Sequence, residues 1–307
     1  MLPASIAGDG QRRDCSFTMK ALVLAYAKLN LSLEVVGLRS DGLHEIRSIV
    51  QTIDLADRIQ IASATGIHVS CSKQVEGINI AEHAVRALLR AKKITSGVCV
   101  SIEKAIPIGA GLGGGSSDAA AVLATVNRFF PPVLADGELL EIAGSIGADV
   151  ALFLCGGCVV VGGAGDPKRE LPVRQESFVV LVPDIHCSTR AVYRAWRPAH
   201  RVATAKTLGR NDLHAAAVSV YPELEGYRDA IRQVDGLYSG MTGSGSAFFA
   251  AFASRADATR ACKQLTGQGL GTRVYCCQPT KTGFAELSAP GTQRSVALDS
   301  LKRGDDA

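Results

Sequence analysis

The chain switches between two hydrophobic periods, and each change of period marks a predicted element. In the first third, apolar residues follow the pattern of β-strands, with a period of two wherever one face is polar. Elsewhere apolar residues recur every three or four positions, as they do on the buried face of a helix. The strand pattern covers residues 21–26, 29–36, 46–54, 58–63, 67–71 and 98–102, and the helix pattern covers 80–91, 119–130 and 137–146.

The second half of the chain predicts a separate structural unit. From residue 178 onwards, strand and helix patterns alternate over about 115 residues, which is long enough for a core of its own. Between the two halves, an apolar and glycine-rich segment at 150–161 predicts a strand hairpin that contains Cys155 and Cys158. We therefore expect an α+β fold with two domains, at 19–172 and 173–290, preceded by a disordered extension at 1–18 and followed by a frayed tail at 291–307.

One segment combines the end of a strand, a glycine-rich loop and the start of a helix. Five glycines lie between Pro107 and Ala120, and Ser116 and Ser117 follow them directly. Glycine lets backbone N–H groups face inward because no Cβ is in the way, and a helix N-terminus adds unpaired donors with a positive partial charge. The segment therefore predicts a binding site for a chain of phosphate groups.

Two common nucleotide-binding motifs fit this segment poorly. Residues Gly109 to Gly114 satisfy the G-x-G-x-x-G pattern of dinucleotide-binding proteins, but no second strand with an acidic end follows about 20 residues later. The segment is not a Walker A loop either, because no Gly-Lys-Ser/Thr closes the run. A plain flexible turn is the remaining interpretation, and the density of glycines directly before a helix argues against it.

Composition narrows the possible partners and the compartment. The 307 residues carry a net charge of +4 and only 5% aromatic residues, so a basic, aromatic surface for nucleic acid is not indicated. No apolar run reaches the ~18 residues that are needed to cross a bilayer, so no membrane partner is expected. Nine cysteines in a chain of this length suggest reduced thiols, and hence a cytoplasmic location.

The glycine-rich segment Pro-Ile-Gly-Ala-Gly-Leu-Gly-Gly-Gly-Ser-Ser-Asp-Ala-Ala resembles the ATP-binding loop of the GHMP kinases, which include galactokinase, homoserine, mevalonate and phosphomevalonate kinases. The doubled serine before Asp-Ala-Ala is most similar to the branch that phosphorylates a cytidine-diphosphate-linked polyol in non-mevalonate isoprenoid biosynthesis. The resemblance runs from about residue 25 to residue 279. It implies a two-domain GHMP kinase fold with the active site in the interdomain cleft.

On the nucleotide side, the resemblance implies that ATP binds over the glycine loop with its Mg²⁺. The metal would bridge the phosphates with a serine hydroxyl as a ligand, from Ser116 or Ser117, and we take Ser117 as that ligand. Asn79 matches an asparagine near the nucleotide, although a helix N-cap role is equally compatible with its position. The residues assigned to ATP are Pro107, Ile108, Gly109, Ala110, Gly111, Leu112, Gly113, Gly114, Gly115, Ser116, Ser117 and Asn79.

Two charged residues match the catalytic positions of this branch. Lys28 lies among apolar residues in Ala-Lys-Leu-Asn-Leu, and Asp149 lies in Gly-Ala-Asp-Val at the end of a predicted helix. A partly buried carboxylate needs a partner, and Lys28 is the natural candidate. The resemblance implies that Asp149 accepts or orients the proton of the substrate hydroxyl, while Lys28 stabilises charge on the transferred group.

On the substrate side, Asp41-Gly42-Leu43-His44 resembles the family motif Asp-Gly-Tyr-His, in which the aromatic ring and the histidine contact cytosine. His44 is retained and Leu43 replaces the tyrosine. Tyr193 matches a second aromatic residue near the base. The residues assigned to the substrate are Asn30, His44, Thr189, Tyr193, Thr242, Gly243 and Ser244.

The resemblance leaves two alternatives open. Leu43 favours a sibling kinase that acts on another alcohol, of the homoserine or mevalonate type, whereas His44 favours the cytidine-linked substrate. A nucleotide-binding protein without turnover is the alternative from a different class, and the intact Lys28 and Asp149 argue against it. The partners expected are thus ATP and a cytidine-diphosphate-linked polyol, bound by a monomer or a homodimer.

Overall fold

The computed structural model describes the chain at residues 19–74, 79–202, 207–270, 272–288 and 292–295. The predicted extension at 1–18 lies outside these residues, and so does the predicted tail except for 292–295. Among the described residues, no helix combines the length and the apolar character that crossing a membrane requires.

The elements follow one another in an order close to the one predicted. The strands are β1 (Met19–Leu38), β2 (His44–Ala64), β3 (Ile67–Cys71), β4 (Gly97–Glu103), β5 (Cys158–Gly162), β6 (Asp166–Leu171), β7 (Ser177–Val182), β8 (Tyr238–Met241), β9 (Phe248–Phe252), β10 (Arg273–Cys277), β11 (Phe284–Ser288) and β12 (Thr292–Ser295). The helices are α1 (Ile80–Ala91), α2 (Gly114–Phe129), α3 (Asp136–Ile146), α4 (Ala148–Cys155), α5 (Thr189–Ala195), α6 (Leu213–Val220), α7 (Leu224–Arg232) and α8 (Arg255–Gly267), with a short 3-10 turn at Pro198–His200.

A large sheet forms the first domain. Its strands run in the order β12-β11-β1-β2-β4-β3, while β5 pairs with β2 and β6 pairs with β5. The helices α1 to α4 pack against one face, where alternate residues of β1 and β2 such as Val23 and Ile59 meet Leu88 and Leu123. This period-two alternation on strands and three-to-four spacing on helices is the pattern seen in the sequence.

A four-stranded antiparallel sheet forms the second domain, in the order β10-β7-β9-β8. One face carries the helices α5 to α8. The other face packs against the first domain, where Phe178 and Phe249 meet Leu29 of β1 and Leu112 of the glycine loop. The glycine loop is therefore built into the interface between the two sheets.

The predicted break at Ala27-Lys28 is wrong, because β1 is one continuous strand. Its pairing with β2 shifts register between Tyr26 and Ala27, and again between Asn30 and Ser32. These irregularities are β-bulges, which bend a strand and re-aim its side chains. The polar residues that look like a strand break in the sequence are the ones that the bulges turn towards the cleft, Lys28 and Asn30.

The hairpin predicted at 150–161 is also wrong in its first half. Residues 148–155 form the helix α4, and only Cys158 onwards is a strand. The helix is buried on opposite sides, with Phe153 in the main core and Leu152 against Val159 in a second cluster. A segment that is apolar all round has no polar face to show its period, so helix and strand cannot be distinguished by periodicity.

The last two described strands return to the first domain, which differs from the predicted boundary at 290. Strand β11 pairs with β1, and β12 pairs with β11 at the edge of the large sheet. Residues 292–295 are thus a strand inside the segment predicted as a frayed tail. Pairing between positions more than 250 residues apart leaves no local signal, because strand register depends on the partner.

Candidate active site

A cleft of about 1380 Å³ opens where the two domains meet. This volume exceeds the roughly 300–1,000 Å³ that is usual for one small ligand, so the cleft has room for two. Its walls come from the glycine loop, β1, the β1–β2 turn, the starts of α1, α2 and α4, and helix α5 with the loop before it. Most of the predicted site residues meet here, namely Lys28, Asn30, His44, Asn79, Pro107 to Ser116, Asp149, Thr189, Tyr193, Gly243 and Ser244.

The glycine loop owes its shape to three glycines with a left-handed backbone. The φ angles are 70° at Gly109, 75° at Gly111 and 74° at Gly113, a region that other residues rarely adopt. Gly113 directly precedes α2 and caps it without a side-chain hydrogen bond. The first N–H groups of α2 are therefore not satisfied by a capping side chain, as an anion site at a helix N-terminus requires.

Replacing Gly113 by alanine should weaken ATP binding. A Cβ at this position would lie 2.8 Å from ring carbons of Phe153 and 3.1 Å from Cγ of Lys28, on a backbone that already has φ 74°. Left-handed strain alone costs about 1–2 kcal/mol for a residue with a Cβ, so we expect kcat/KM for ATP to fall about tenfold. Steady-state kinetics with ATP as the varied substrate measure this change.

Gly115→Ala is the matched control for that substitution. A Cβ there meets nothing closer than Cδ1 of Ile80 at 3.6 Å, and alanine favours the helix. Equal kinetics of the Gly113→Ala and Gly115→Ala variants would show that the left-handed backbone at Gly113 does not shape the nucleotide site.

The predicted catalytic pair faces the cleft from two elements. Lys28 on β1 is only 5% exposed, and its Nζ donates a hydrogen bond to Oδ1 of Asn30. Burial lowers the pKa of Lys28, and the negative charge of Asp149 acts against this lowering. Among the described residues the two side chains form no direct ion pair, and both line the same cleft.

The sequence predicted Asp149 at the end of a helix. In the structure it lies at the beginning of one. It occupies the first turn of α4, which starts directly after α3. A carboxylate in the first turn is stabilised by the N–H groups and the positive partial charge at the helix start. The position therefore holds a negative charge that points into the cleft.

Two predicted substrate residues have most of their hydrogen-bonding groups engaged within the protein. Asn30 accepts from Lys28 and donates through Nδ2 to Oγ of Ser48 at 2.9 Å. Thr242 is fully buried, and its Oγ1 accepts from the backbone N–H of Asn30 at 2.9 Å and lies 3.4 Å from the carbonyl oxygen of Gly111. Thr242 is not among the residues that line the cleft, and its side chain contacts the backbone of Asn30 and Gly111. The predicted substrate contact of Thr242 stays a prediction.

An aromatic group forms the far end of the cleft. The ring of His44 lies 5.1 Å from that of Tyr193 and 5.6 Å from that of Trp196, which meets it edge-on at 82°. Burial lowers the pKa of His44, so its imidazole is mostly neutral at pH 7. Leu43 beside it is 55% exposed. This end of the cleft can place a flat polar ring against the phenol of Tyr193, beside the imidazole of His44.

The sequence analysis predicted neither the position of Trp196 nor the contact between Thr189 and Ser244. Trp196 follows Tyr193 by three positions at the end of α5, so both rings lie on the same side of the helix. Thr189 Oγ1 and Ser244 Oγ are 2.9 Å apart, which ties the start of α5 to the loop after β8.

The two serines after the glycines differ in direction. Ser116 lines the cleft, whereas Ser117 is fully buried and its Oγ has no hydrogen-bond partner. Successive residues of a helix point about 100° apart, so both hydroxyls cannot face the same ligand. The metal-ligand role predicted for Ser117 stays a prediction, and of the two hydroxyls it is Ser116 that belongs to a residue lining the cleft.

The described residues contain no group of three or more side chains that could hold a metal by themselves. Mg²⁺ commonly takes one or two protein ligands and completes its shell with phosphate oxygens and water. The cleft fits that case, because Ser116 lies at the start of α2 beside the glycine loop where phosphates would lie. Asn79, at the opposite side, is the N-cap of α1 and accepts from Ala81 N at 2.9 Å while lining the cleft.

A buried charge cluster under the glycine loop was missed by the sequence analysis. Nζ of Lys104 lies 2.5 Å from Oδ2 of Asp57 and 2.7 Å from Oδ2 of Asp118. Oδ1 of Asp57 accepts from the backbone N–H groups of Ala105 and Ile106 at 2.6 and 2.8 Å. The cluster thereby joins the chain just before the loop to helix α2 just after it.

The electrostatics of this cluster follow from two carboxylates sharing one ammonium group. Burial lowers the pKa of Lys104, but the two aspartates outweigh it and raise that pKa overall. Burial raises the pKa of Asp118 to about 8, with Lys104 acting against the rise and the charge of Asp57 adding to it. Lys104 therefore stays charged, and its ammonium group is the partner that both aspartates share.

His186 is a second residue that the sequence analysis missed. It follows β7 in the second domain, and a Cβ on Gly109 would lie 2.1 Å from its Nδ1. The imidazole thus packs directly on the glycine loop across the cleft. A lone histidine in a loop gives no sequence signal for such a contact.

Comparisons with known proteins agree with this architecture. The family described as GHMP kinases N terminal domain matches residues 79–157, and the family described as GHMP kinases C terminal matches residues 199–269. The 4-diphosphocytidyl-2-C-methyl-D-erythritol kinase of Carboxydothermus hydrogenoformans is 36% identical over 283 residues, which cover 84% of this chain and 98% of that protein.

Solved structures show the same likeness. A crystal structure of 4-(cytidine 5'-diphospho)-2C-methyl-D-erythritol kinase superposes with a TM-score of 0.73 at 34% identity, covering 83% of this chain and 98% of the other. Homoserine kinase from Cytophaga hutchinsonii has a TM-score of 0.68 at 17% identity, covering 87% of this chain and 97% of its own. The second likeness concerns the fold alone.

Proposed function

This chain belongs to the GHMP kinase family, and we propose that it transfers the γ-phosphoryl group of ATP to the 2-hydroxyl of 4-diphosphocytidyl-2-C-methyl-D-erythritol. The reaction is a step in non-mevalonate isoprenoid precursor biosynthesis. One observation carries the proposal beyond the family: a single cleft holds a phosphate-binding loop, a Lys–Asp pair and an aromatic end that suits a base. The similar kinases match nearly their full length, so both domains contribute to the likeness.

The glycine loop would bind the phosphate chain of ATP through backbone N–H groups at the start of α2. Ser116 would help to hold Mg²⁺, which would supply positive charge that offsets the charge of the phosphates. Asn79 lies where it can contact the nucleotide from the start of α1. The first domain thus provides most of the ATP site.

Asp149 would orient the 2-hydroxyl and accept its proton as the oxygen bonds to the γ-phosphorus. The bond from the γ-phosphorus to the bridging oxygen breaks, and ADP leaves with that electron pair. Lys28 donates to Asn30 and would place its amino group beside the transferred group. Phosphoryl transfer depends on positioning and electrostatics more than on a strong base, and a fixed carboxylate in the first turn of α4 suits that task.

The cytosine ring would lie at the aromatic end, against Tyr193 and within hydrogen-bonding distance of a neutral His44. Leu43 offers an apolar contact where the similar enzymes are expected to offer a second ring. The substrate would be held by both domains, since His44 lies on β2 and Tyr193 on α5.

The exposed Leu43 is the observation that favours the second candidate, a GHMP kinase that phosphorylates another small alcohol such as homoserine or mevalonate.

For the compartment we propose the cytoplasm. The eight described cysteines carry no disulfide, as is usual for proteins kept in a reducing environment.

A coupled assay of ADP release with three alcohols tests the substrate. ATP and Mg²⁺ are supplied with 4-diphosphocytidyl-2-C-methyl-D-erythritol, with mevalonate or with homoserine, at equal concentrations. We expect turnover with the cytidine-linked polyol alone, because the other two alcohols leave the aromatic end of the cleft empty. Turnover with mevalonate or homoserine instead would keep the kinase class and reject this substrate.

A further inference from the structure

A second cavity, of about 70 Å³, lies in the second domain on the other side of the segment Met241–Gly243 from the cleft. Its lining is strongly basic. It includes Arg210, His214, Arg228 and Arg232, with apolar contacts from Phe248. The family likeness assigns nothing to this place.

The arginines around this cavity are not all neutralised. Arg228 is paired with Glu225 at 2.6 Å and with Asp229 at 3.0 Å. Across the described part of the chain, Arg210 and Arg232 have no carboxylate within ion-pair distance. The cavity therefore keeps a positive charge, although two acidic residues lie nearby.

A buried imidazole nitrogen in the same wall also lacks a partner. His214 lies in the first turn of α6, and its buried Nε2 has no hydrogen-bond partner among the described residues. Burial is the main cause that lowers the pKa of His214, and Arg228 adds to it. A buried polar atom without a partner is costly, and the imidazole that carries it lies in the cavity wall beside Arg228.

We propose that this cavity binds a phosphate-bearing small anion, held by the guanidinium groups of Arg210 and Arg232 beside the imidazole of His214. Guanidinium groups match phosphate oxygens in geometry and charge. The volume is more than that of one water molecule, which is ~30 Å³, and far less than that of a nucleoside. The site therefore takes one phosphate group, and any organic part of the ligand remains outside.

A ligand bound in this cavity would lie close to the cleft, separated from it by one backbone segment. Asn211 lines the cavity, and its Nδ2 donates to the carbonyl oxygens of Met241 and Gly243 at 2.8 Å each. Gly243 lines the cleft, and a Cβ on it would lie 3.4 Å from Nζ of Lys28. The two sites thus share one wall, a single backbone segment thick.

The test measures binding of inorganic phosphate while the cleft is filled with a non-hydrolysable ATP analogue and Mg²⁺, at constant ionic strength. Filling the cleft excludes binding at the glycine loop. The double variant Arg210→Gln/Arg232→Gln is compared with the wild type and with Arg260→Gln/Arg273→Gln, a control of equal charge change on exposed arginines of the same domain. Calorimetric titration gives the affinity, and the imidazole NMR signal that is absent from His214→Gln reports the site.

We expect the wild type and the control to bind phosphate and to shift the His214 signal. The Arg210→Gln/Arg232→Gln protein should bind about tenfold or more weakly, because two charge-assisted contacts are lost. Equal affinities in all three proteins, no binding by the wild type, or binding that leaves the His214 signal unmoved would each overturn the proposal. The outcome does not depend on kinase activity, so it is separate from the test of function.

Discussion

Asp149→Asn should lower kcat about a hundred- to ten-thousand-fold while leaving the dissociation constant for ATP nearly unchanged. The amide keeps the size and the position of the carboxylate in the first turn of α4. It loses the negative charge that attracts the hydroxyl proton and that acts on Lys28. The glycine loop is not touched by the substitution, so the nucleotide still binds.

The measurement combines single-turnover kinetics with equilibrium binding of a fluorescent ATP analogue. Asp166→Asn is the matched control, since its carboxylate is close in the fold, half exposed and 3.8 Å from Lys168. Its kcat should stay within about twofold of the wild type, as expected for a surface ion pair. A kcat for Asp149→Asn that equals that of the control would remove Asp149 from the mechanism.

Lys104→Met should lower the free energy of unfolding by about 3–5 kcal/mol, the usual result of removing one partner from a buried ion pair. Methionine fills similar space, so the loss comes from charge and not from a cavity. Asp57 and Asp118 would remain buried without their shared ammonium group. The backbone before the glycine loop, held by Asp57, would lose its fixed position, so KM for ATP should rise as well.

Urea denaturation followed by circular dichroism measures the change. Arg58→Met is the control, because Arg58 and Glu103 form an exposed pair at 4.0 Å that should contribute less than about 1 kcal/mol. A loss for Lys104→Met as small as that of the control would mean that the cluster does not hold the loop.

The glycine loop and most elements could be predicted because their signals are local. Helix α1 carries its apolar stripe and its N-cap within one short segment, and α2 begins inside the glycine run, at Gly114. The left-handed positions at Gly109, Gly111 and Gly113 follow the same logic, since only glycine adopts that backbone without strain.

The parts that sequence reasoning missed depend on contacts between distant residues. Lys104 meets Asp57 across 47 positions, and nothing near either residue indicates the other. Strand β11 pairs with β1 for the same reason without a local signal. Helix α4 is misjudged because both of its sides are buried, and the direction of the Ser117 hydroxyl depends on the turn of the helix that carries it.

The sequence motif and the structure give different information about the surroundings of Leu43. The motif comparison identifies the missing ring, but only the structure shows that Tyr193 and Trp196 both contact His44. Tyr193 lines the cleft while the buried Trp196 packs against His44, so an aromatic end remains despite the leucine. The proposed binding of the cytosine ring depends on that arrangement.

The ³¹P NMR spectrum of one reaction mixture tests this account most directly. The protein is incubated with ATP, Mg²⁺ and 4-diphosphocytidyl-2-C-methyl-D-erythritol. We predict one new phosphomonoester signal, whose intensity matches the ADP formed. This signal should show no coupling to a carbon-bound proton, because the 2-carbon carries a methyl group and no hydrogen. A new signal split by such a proton would place the phosphate on another hydroxyl, and ADP formed with inorganic phosphate alone would contradict the kinase mechanism.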